Sequence, residues 1–337
     1  MKLRNLIPFV LLPVLATSGC SAETQADSEM FIAMIMTKNQ QSSSIPTDSG
    51  ILIHSKSSGE WERLGPAIQM ISSVTADPSN PDILFLACGN GVVRSRNGGE
   101  TWRMVTGWKE SDVLQIAIDP TNGNRIYAAT AWGVTISTDG GESWNMANEG
   151  LDEYFSKSIV IDARDPSRLL LANTRGLFES TNQAATWARI DAVPEVAILR
   201  LRRGVSNPDV WIAATEGRGI YISHDDAVSW KPVAPELSQA NVYGVAVDPH
   251  DSTNLAAGGW DTGVHVSIDG GTTWQQAADL VSPHVTVVCF DANVPGRLWA
   301  STFEEGTYFS DDMGRTWTSA DLDGAYVFDI GFLPVRQ

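Results

Sequence analysis

The sequence predicts an all-β protein, a seven-bladed β-propeller with four antiparallel strands in each blade, and three observations predict it. Seven tryptophans recur at intervals of 41 to 44 residues over most of the chain. Each interval contains four short strand-like segments, and the two ends of the chain complement each other. A period of about 42 residues with four strands in each repeat is typical of propeller blades. The seven residues are Trp61, Trp102, Trp144, Trp187, Trp230, Trp274 and Trp317.

The repeat that ends near Trp144 shows the four strands, which we call A to D in chain order. Residues 113–118 are an apolar run that predicts strand A, and the turn Asp119-Pro120 follows it. Residues 125–130 and 133–137 predict strands B and C, and a short strand D lies around Trp144. Asp-Pro pairs recur at residues 77–78, 165–166 and 248–249, where turns are expected.

The two ends of the chain predict how the ring of blades closes. Residues 325–333 read as a strand A with no repeat after it. Residues 31–37 and 51–55 read as strands B and C with no strand A before them. We therefore expect the seventh blade to combine strands from both termini, and the propeller to span residues 31–333.

Each of the seven tryptophans ends a short phrase that we call the tryptophan motif. Its best copies run from Ser137 to Trp144 and from Ser267 to Trp274, with the pattern Ser-x-Asp-Gly-Gly-x-Ser/Thr-Trp. The Asp side chain accepts bonds from nearby backbone amides, the glycines permit positive φ, and the Trp supplies apolar surface. We predict a structural role for the motif and assign it no catalytic residue.

The N-terminus predicts export. Residues 1–19 read as a lipoprotein-like signal peptide, with Lys2 and Arg4 before an apolar run at 6–16 that is too short to span a bilayer. Residues 20–30 read as a flexible tether. The small residues before Cys20 resemble a bacterial lipoprotein processing site, which implies lipidation of Cys20 and an outer-membrane or periplasm-facing protein anchored by lipid alone. An ordinary signal peptide is the alternative.

Composition restricts the partners and cofactors. The chain has 40 acidic and 23 basic residues, a formal charge of −17, which argues against a nucleic-acid partner because phosphate binding needs a basic face. The sequence has no His cluster or Cys-x-x-Cys pair, so we expect no metal and no cofactor. Cys88 and Cys289 are expected to be buried free thiols. We expect a monomer.

Alternating strand direction sorts the connections onto two faces of the propeller. The tryptophan motifs share one face with the A–B turns, and the B–C and D–A connections form the other, which we call the loop face. We expect a binding site on the loop face, because flat aromatic rings beside carboxylates suit a sugar or a peptide. The candidate binding residues are Trp108, Trp132, Tyr154, Arg175, Glu216, Arg218, Trp260, Asp261, Glu304 and Glu305.

Arg200 is an unusual residue for an inner strand. In strand A of the fourth blade we align it with Ala117, Val160, Ala246 and Cys289 of other blades. A charge at such a position needs a partner, so we expect Arg200 either to reach the central channel or to pair with a carboxylate such as Glu216.

The tryptophan motif resembles the Asp-box, or bacterial neuraminidase repeat. The Asp-Pro turn followed by Ile-Tyr-Ala-Ala-Thr at residues 126–130 resembles propellers of sortilin-type receptors, xyloglucan-active glycosidases and photosystem II assembly factors. The resemblance covers about residues 31–333. It implies a sialidase-like propeller fold with a ligand on the face opposite the motifs, while one fold of this kind serves many functions.

Two functions remain open at this point. The first is a non-enzymatic, lipid-anchored platform that binds a protein or a polysaccharide. The alternative is a glycoside hydrolase that uses a pair of loop carboxylates, with Asp261, Glu304 and Glu216 as the candidate catalytic residues. In the xyloglucan-active family the catalytic Asp lies in a Thr-Asp-x-Gly-Gly loop, which residues 259–263 match in part, but those enzymes have two propellers. A sialidase is disfavoured, because residues 44–46 read Ser-Ile-Pro where that family has Arg-Ile-Pro.

Overall fold

The structure is a computed structural model that describes residues 28–36, 49–55, 59–68, 70–107 and 111–335. The predicted signal peptide, Cys20 and Trp108 lie outside the described residues. Within the described part of the chain, no helix has the length and apolar character needed to cross a membrane. The same residues contain no group of three or more His, Cys, Asp or Glu side chains arranged to hold a metal ion.

The protein is an all-β, seven-bladed propeller, as the sequence predicts, and each blade is a four-stranded antiparallel sheet. Each inner strand packs against the inner strand of the next blade, and the last packs against the first. The seven inner strands, A of blades 1 to 7, are β4 (Ile71–Asp77), β8 (Val113–Ile118), β12 (Ser156–Ile161), β16 (Ile198–Arg203), β20 (Val242–Val247), β24 (Val285–Phe290) and β28 (Ala325–Pro334).

The other three strands of each blade follow outward from the centre. In blades 1 to 7, strand B is β5 (Asn80–Cys88), β9 (Ile126–Thr130), β13 (Leu169–Asn173), β17 (Trp211–Thr215), β21 (Leu255–Gly259), β25 (Leu298–Thr302) and β1 (Ser28–Met36). Strand C is β6 (Gly91–Ser95), β10 (Gly133–Ser137), β14 (Gly176–Ser180), β18 (Ile220–Ser223), β22 (Gly263–Ser267), β26 (Thr307–Ser310) and β2 (Gly50–His54). Strand D is β7 (Arg103–Met104), β11 (Asn145–Met146), β15 (Ala188–Arg189), β19 (Lys231–Val233), β23 (Gln275–Gln276), β27 (Thr318–Ser319) and β3 (Trp61–Leu64).

Blade 7 closes the ring with strands from both ends of the chain, in the order β28-β1-β2-β3. The prediction of a shared seventh blade is confirmed. Strand β1 begins at Ser28, three residues before the expected start of the propeller. The Ser28 hydroxyl donates to Asn293 Oδ1 over 2.9 Å, which joins the first strand to blade 6. A 3₁₀ turn, Pro235–Leu237, lies between blades 4 and 5.

The tryptophan motifs form one recurring hydrogen-bonded turn. In the motif of blade 2, Gly141 N donates to Ser137 Oγ over 2.8 Å and Ser143 N donates to Asp139 Oδ1 over 2.9 Å. The turn persists where the glycines are lost, because Ala184 adopts φ 65° and its backbone N still donates to Ser180 Oγ over 3.0 Å. The polar bonds of this turn therefore hold a left-handed backbone that glycine alone would adopt freely.

The motif tryptophans pack between neighbouring blades. Trp187 is 4% exposed, and its indole N–H donates to the carbonyl oxygen of Ala147 in blade 2 over 2.8 Å. Trp61 does the same across the closing interface, where its indole donates to the Ala320 carbonyl over 3.1 Å. Each large apolar side chain that is buried stabilises the folded state by about 1.5–3 kcal/mol. The repeated packing of tryptophans between blades therefore stabilises the ring.

The two cysteines of the propeller differ. Cys88 is a buried free thiol, as expected, and burial raises its pKa to about 12. Cys289 is buried and disulfide-bonded, so the prediction of a free thiol there is wrong.

Candidate functional site

A β-bulge in each inner strand shapes the centre of the loop face. In blades 1 to 6 the pairing of strand A with strand B skips the second residue of strand A. In blade 7 the skipped residue is Phe328. A bulge places an extra residue in one strand and re-aims its side chain. The six other bulged residues are Ser72, Leu114, Lys157, Leu199, Tyr243 and Thr286.

All seven bulged residues line one cavity of about 360 Å³. Phe155, Arg200, Tyr326 and Val327 complete the wall formed by the inner strands and the segments before them. Trp260 and Phe303, from the B–C connections of blades 5 and 6, cover one side. The cavity is thus the mouth of the central channel on the loop face, and its volume lies in the range of about 300–1,000 Å³ typical of ligand sites.

Aromatic rings form a continuous wall on the side of blades 5 to 7. The Trp260 indole stacks on the His284 imidazole at 4.3 Å between ring centroids, and meets Phe303 edge-on at 5.5 Å. Phe303 contacts Tyr326 at 5.3 Å, and Tyr326 contacts Phe328 at 4.6 Å. Trp260 remains 39% exposed, so part of this wall faces solvent where a ligand can reach it.

Asp261 holds the outer end of this wall. It adopts φ 62° in the turn between β21 and β22, and its Oδ1 lies 3.2 Å from Nδ1 of His284. The Asp261 side chain is 71% exposed. The carboxylate therefore lies beside the imidazole on which Trp260 stacks, and it faces water instead of the cavity.

Two basic side chains lie in the cavity wall. Burial lowers the pKa of Lys157, and the nearby charge of Arg200 adds to that effect, while Glu216 opposes it. Arg200 Nη2 donates to the Phe328 carbonyl oxygen across the channel, over 3.3 Å. Arg200 thus reaches the central channel, which was the first of the two expectations for this residue. The second, an ion pair with Glu216, is not found among the contacts of the described residues.

The alignment of Arg200 in the sequence analysis was wrong by two residues. Arg202 pairs with Ile212 of β17 just as Ala117 pairs with Tyr127 of β9, so Arg202 is the residue equivalent to Ala117. Arg200 is the equivalent of Gln115, one place deeper than the bulged residue. The bulge adds one residue to each inner strand. Because a strict alternation of inward and outward side chains ignores this extra residue, it misplaces the residues that face inward.

A layer of buried polar groups lies beyond the cavity wall. Arg202 is buried, and desolvation lowers its pKa to about 9, with the charge of Arg200 in the same direction. Asp329 is fully buried too, and desolvation raises its pKa against the influence of Arg200 and Arg202. Gln115 accepts from the Ser158 hydroxyl over 2.6 Å and leaves its Nε2 without a partner among the described residues.

One of the predicted binding residues, Trp260, lines the cavity. Arg175 is engaged with Glu195 at 2.7 Å and Asp152 at 3.8 Å, which ties two D–A connections together. Glu304 is fixed by backbone bonds to Ala325 and Gly324. The remaining predicted residues lie on the loop face without lining the cavity: Trp132, Tyr154, Glu216, Arg218, Asp261 and Glu305.

Most of the cavity wall lies outside the B–C and D–A connections, where the sequence predicted the binding site. Phe155, Lys157, Tyr243, Tyr326 and Phe328 lie in or beside inner strands. A signal for them exists in the sequence. The second residue of strand A varies from Ser to Lys to Tyr between blades, whereas the first residue is apolar or small in each.

The comparisons with known proteins support the fold. No family model matches the chain. A segment of 150 residues is 29% identical to an oligoxyloglucan-reducing end-specific xyloglucanase of Emericella nidulans, and the match covers 37% of this chain and 18% of that enzyme.

Several solved structures share the architecture at low identity. A GH74 enzyme of Niastella koreensis gives a TM-score of 0.69 at 18% identity, over 89% of this chain and 55% of that one. The GH74 xyloglucanase of Xanthomonas campestris gives 0.68 at 15% identity, over 96% and 55% of the two chains. YCF48 of Cyanidioschyzon merolae gives 0.59 at 16% identity, over 78% and 94%. The chain thus spans about half the length of the two GH74 enzymes and most of YCF48, and it shares their propeller fold.

Proposed function

We propose that this protein is an exported propeller that binds a polysaccharide or a protein through the cavity on its loop face and does not cleave its ligand. The observation that carries the proposal is the cavity itself, with an aromatic wall and two basic groups. Among the described residues that line it, there is no Asp or Glu. The lipoprotein-like signal sequence at residues 1–19 supports export to the cell envelope.

A polysaccharide is the better-supported ligand. Pyranose rings present flat faces of C–H groups, and such faces pack well on exposed aromatic rings like Trp260 and Tyr243. The partial match to a xyloglucanase points in the same direction. A protein ligand is supported by the similarity to YCF48, one structure of which is described as bound to D1 peptide.

The alternative function, glycoside hydrolysis, rests on the xyloglucanase match. It requires two carboxyl groups on opposite sides of the scissile bond, about 5–10 Å apart. The candidate carboxylates do not meet this requirement in the cavity, because Asp261 is turned toward His284 and solvent, and neither Glu304 nor Glu216 lines the wall. The binding function is therefore favoured.

The test is a glycan array and a hydrolysis assay with the folded propeller on the same set of plant and bacterial polysaccharides. We expect binding without release of reducing ends. Hydrolysis that disappears in Asp261→Asn or Glu304→Gln would overturn the binding-only function. Matched assays of Arg218→Gln, an exposed loop-face variant outside the cavity, control for unspecific effects of loop substitutions.

A further inference from the structure

The cavity carries positive charge in a strongly acidic protein. Lys157 and Arg200 both line it, while the formal charge of the chain is −17. Lys157 Nζ lies 5.3 Å from the centroid of the Phe155 ring, and the Arg200 guanidinium bonds to a neutral carbonyl. Neither side chain takes part in an ion pair within the described part of the chain. Other basic residues of the propeller, such as Arg168 and Arg203, are paired with carboxylates.

The two cations repel each other and are partly removed from water. Burial penalises the charged form of Lys157, and the charge of Arg200 adds to the penalty. A buried charge is stable when an opposite charge or several hydrogen bonds compensate it. Glu216 and Asp329 act on these cations only from beyond ion-pair distance. An anionic ligand group in the cavity would supply the missing compensation.

The layer beyond the wall offers further unpaired groups. Gln115 directly follows the bulged Leu114 and is 1% exposed. Its Oε1 accepts from Ser158 Oγ and from Ile159 N, which leaves Nε2 as a free donor. Arg202 Nε also has no partner among the described residues. Buried donors without partners are uncommon in folded proteins and point to a bound polar group or water.

We propose that the cavity binds the carboxylate of a uronic acid unit in an otherwise uncharged polysaccharide, an inference that rests on the binding function proposed above. The carboxylate lies between Lys157 and Arg200, and the sugar ring packs on the aromatic wall that ends at Trp260. The donors behind the wall, Gln115 Nε2 among them, are reached directly or through water. A charge-assisted bond to each cation gives both affinity and orientation.

The charge of the whole protein limits the ligand to few acidic groups. A densely charged polyanion would be repelled outside this positive cavity, because the formal charge of the chain is −17. The cavity volume of about 360 Å³ admits one or two sugar rings and not a folded partner. A chain with one accessible uronate, such as a terminal one, fits both limits.

The test compares a uronate-terminated oligosaccharide with the same molecule after chemical reduction of its carboxyl to an alcohol. Calorimetric titration of the propeller should give about ten-fold or tighter binding of the acidic form, as expected for a charge-assisted contact. Lys157→Met and Arg200→Met should each lose most of that preference and still bind the reduced oligosaccharide. Arg200→Lys should keep part of the preference, because it retains the charge.

The outcomes separate the inference from the function on which it rests. Equal binding of both oligosaccharides to the wild type, or a preference that survives both methionine variants, overturns the uronate site and leaves polysaccharide binding standing. Binding of neither oligosaccharide, together with binding of a peptide that has a free C-terminal carboxylate, overturns the uronate site and the choice of a polysaccharide, and makes a protein the ligand of the cavity. Unchanged melting temperatures show that the variants are folded.

Discussion

The Trp260 indole lies nearly parallel to the His284 imidazole, with 4.3 Å between the ring centroids and 18° between the planes. The two residues come from different connections, the B–C turn of blade 5 and the D–A connection into blade 6. Asp261 Oδ1 lies 3.2 Å from His284 Nδ1. The rigid stack holds the indole at the rim of the cavity, where it leads into the ring series Phe303, Tyr326 and Phe328.

Replacement of Trp260 by Ala should weaken ligand binding strongly. Hot-spot aromatics contribute about 2 kcal/mol or more, so we expect a loss of affinity of about thirty-fold or more. Trp132→Ala is the matched control, because Trp132 is an exposed tryptophan on the same face, 53% exposed, that does not line the cavity. Equal losses in the two variants, measured by glycan array and titration, would remove the cavity from the binding site.

Asp261→Asn should loosen the stack of Trp260 on His284 and weaken ligand binding without abolishing it. The substitution removes the negative charge beside His284 and keeps the size of the side chain, so we expect a loss of affinity of about two- to five-fold, in line with an exposed polar contact worth up to about 1 kcal/mol. Crystal structures or ring-proton NMR of the variant would show whether the imidazole turns away from the indole. An unchanged ring contact would show that stacking alone positions Trp260.

The blades and their number could be predicted from the sequence, because each motif tryptophan is local to its turn and recurs with the repeat. The turn geometry could be predicted from Asp139 and the two glycines that follow it, for the same reason. The cavity could not be predicted from the sequence, because its wall depends on the bulge in every inner strand. The bulge changes the direction in which side chains such as that of Lys157 point. The stack of Trp260 on His284 joins two blades, and a single sequence holds no signal for that pairing.

The Asp residues of the tryptophan motifs should make stability depend on acid pH. The Ser229 hydroxyl and backbone N–H, followed by the Ser223 hydroxyl, lower the pKa of Asp225 to about 2, and Thr316 and Ser310 do the same for Asp312. A carboxylate with a lowered pKa in the folded state stabilises the fold above its unfolded pKa of about 4. That stabilisation is lost as the pH falls from about 4 toward 2.

Asp225→Asn tests this pH dependence with a control that the chain itself provides. Asn97 and Asn182 occupy the same place in two other motifs and accept the same backbone bond, from Thr101 N and Thr186 N. We therefore expect the variant to fold, with lower stability at pH 7 and a smaller change between pH 4 and pH 2 in urea titrations. A pH profile identical to the wild type would show that Asp225 carries no linked stability.

The buried motif tryptophan Trp187 should contribute much more to the free energy of unfolding than the exposed Trp132. Trp187→Ala should destabilise the propeller by about 3–5 kcal/mol, since it opens a cavity between blades 2 and 3. Trp187→Phe keeps much of the apolar contact and removes the indole bond to Ala147, so we expect a loss of about 1 kcal/mol. Urea unfolding measures both, and Trp132→Ala should change stability by less than about 0.5 kcal/mol.

Arg202 and Asp329 should show strong coupling, because both are buried and each favours the charged form of the other. Removing one leaves an uncompensated charge inside the channel, so Arg202→Leu alone should destabilise the fold by about 3–5 kcal/mol. Asp329→Asn added to that variant should restore most of the loss, since neither charge then remains. Additive effects in a double-mutant cycle by urea unfolding would show that the two side chains are compensated separately.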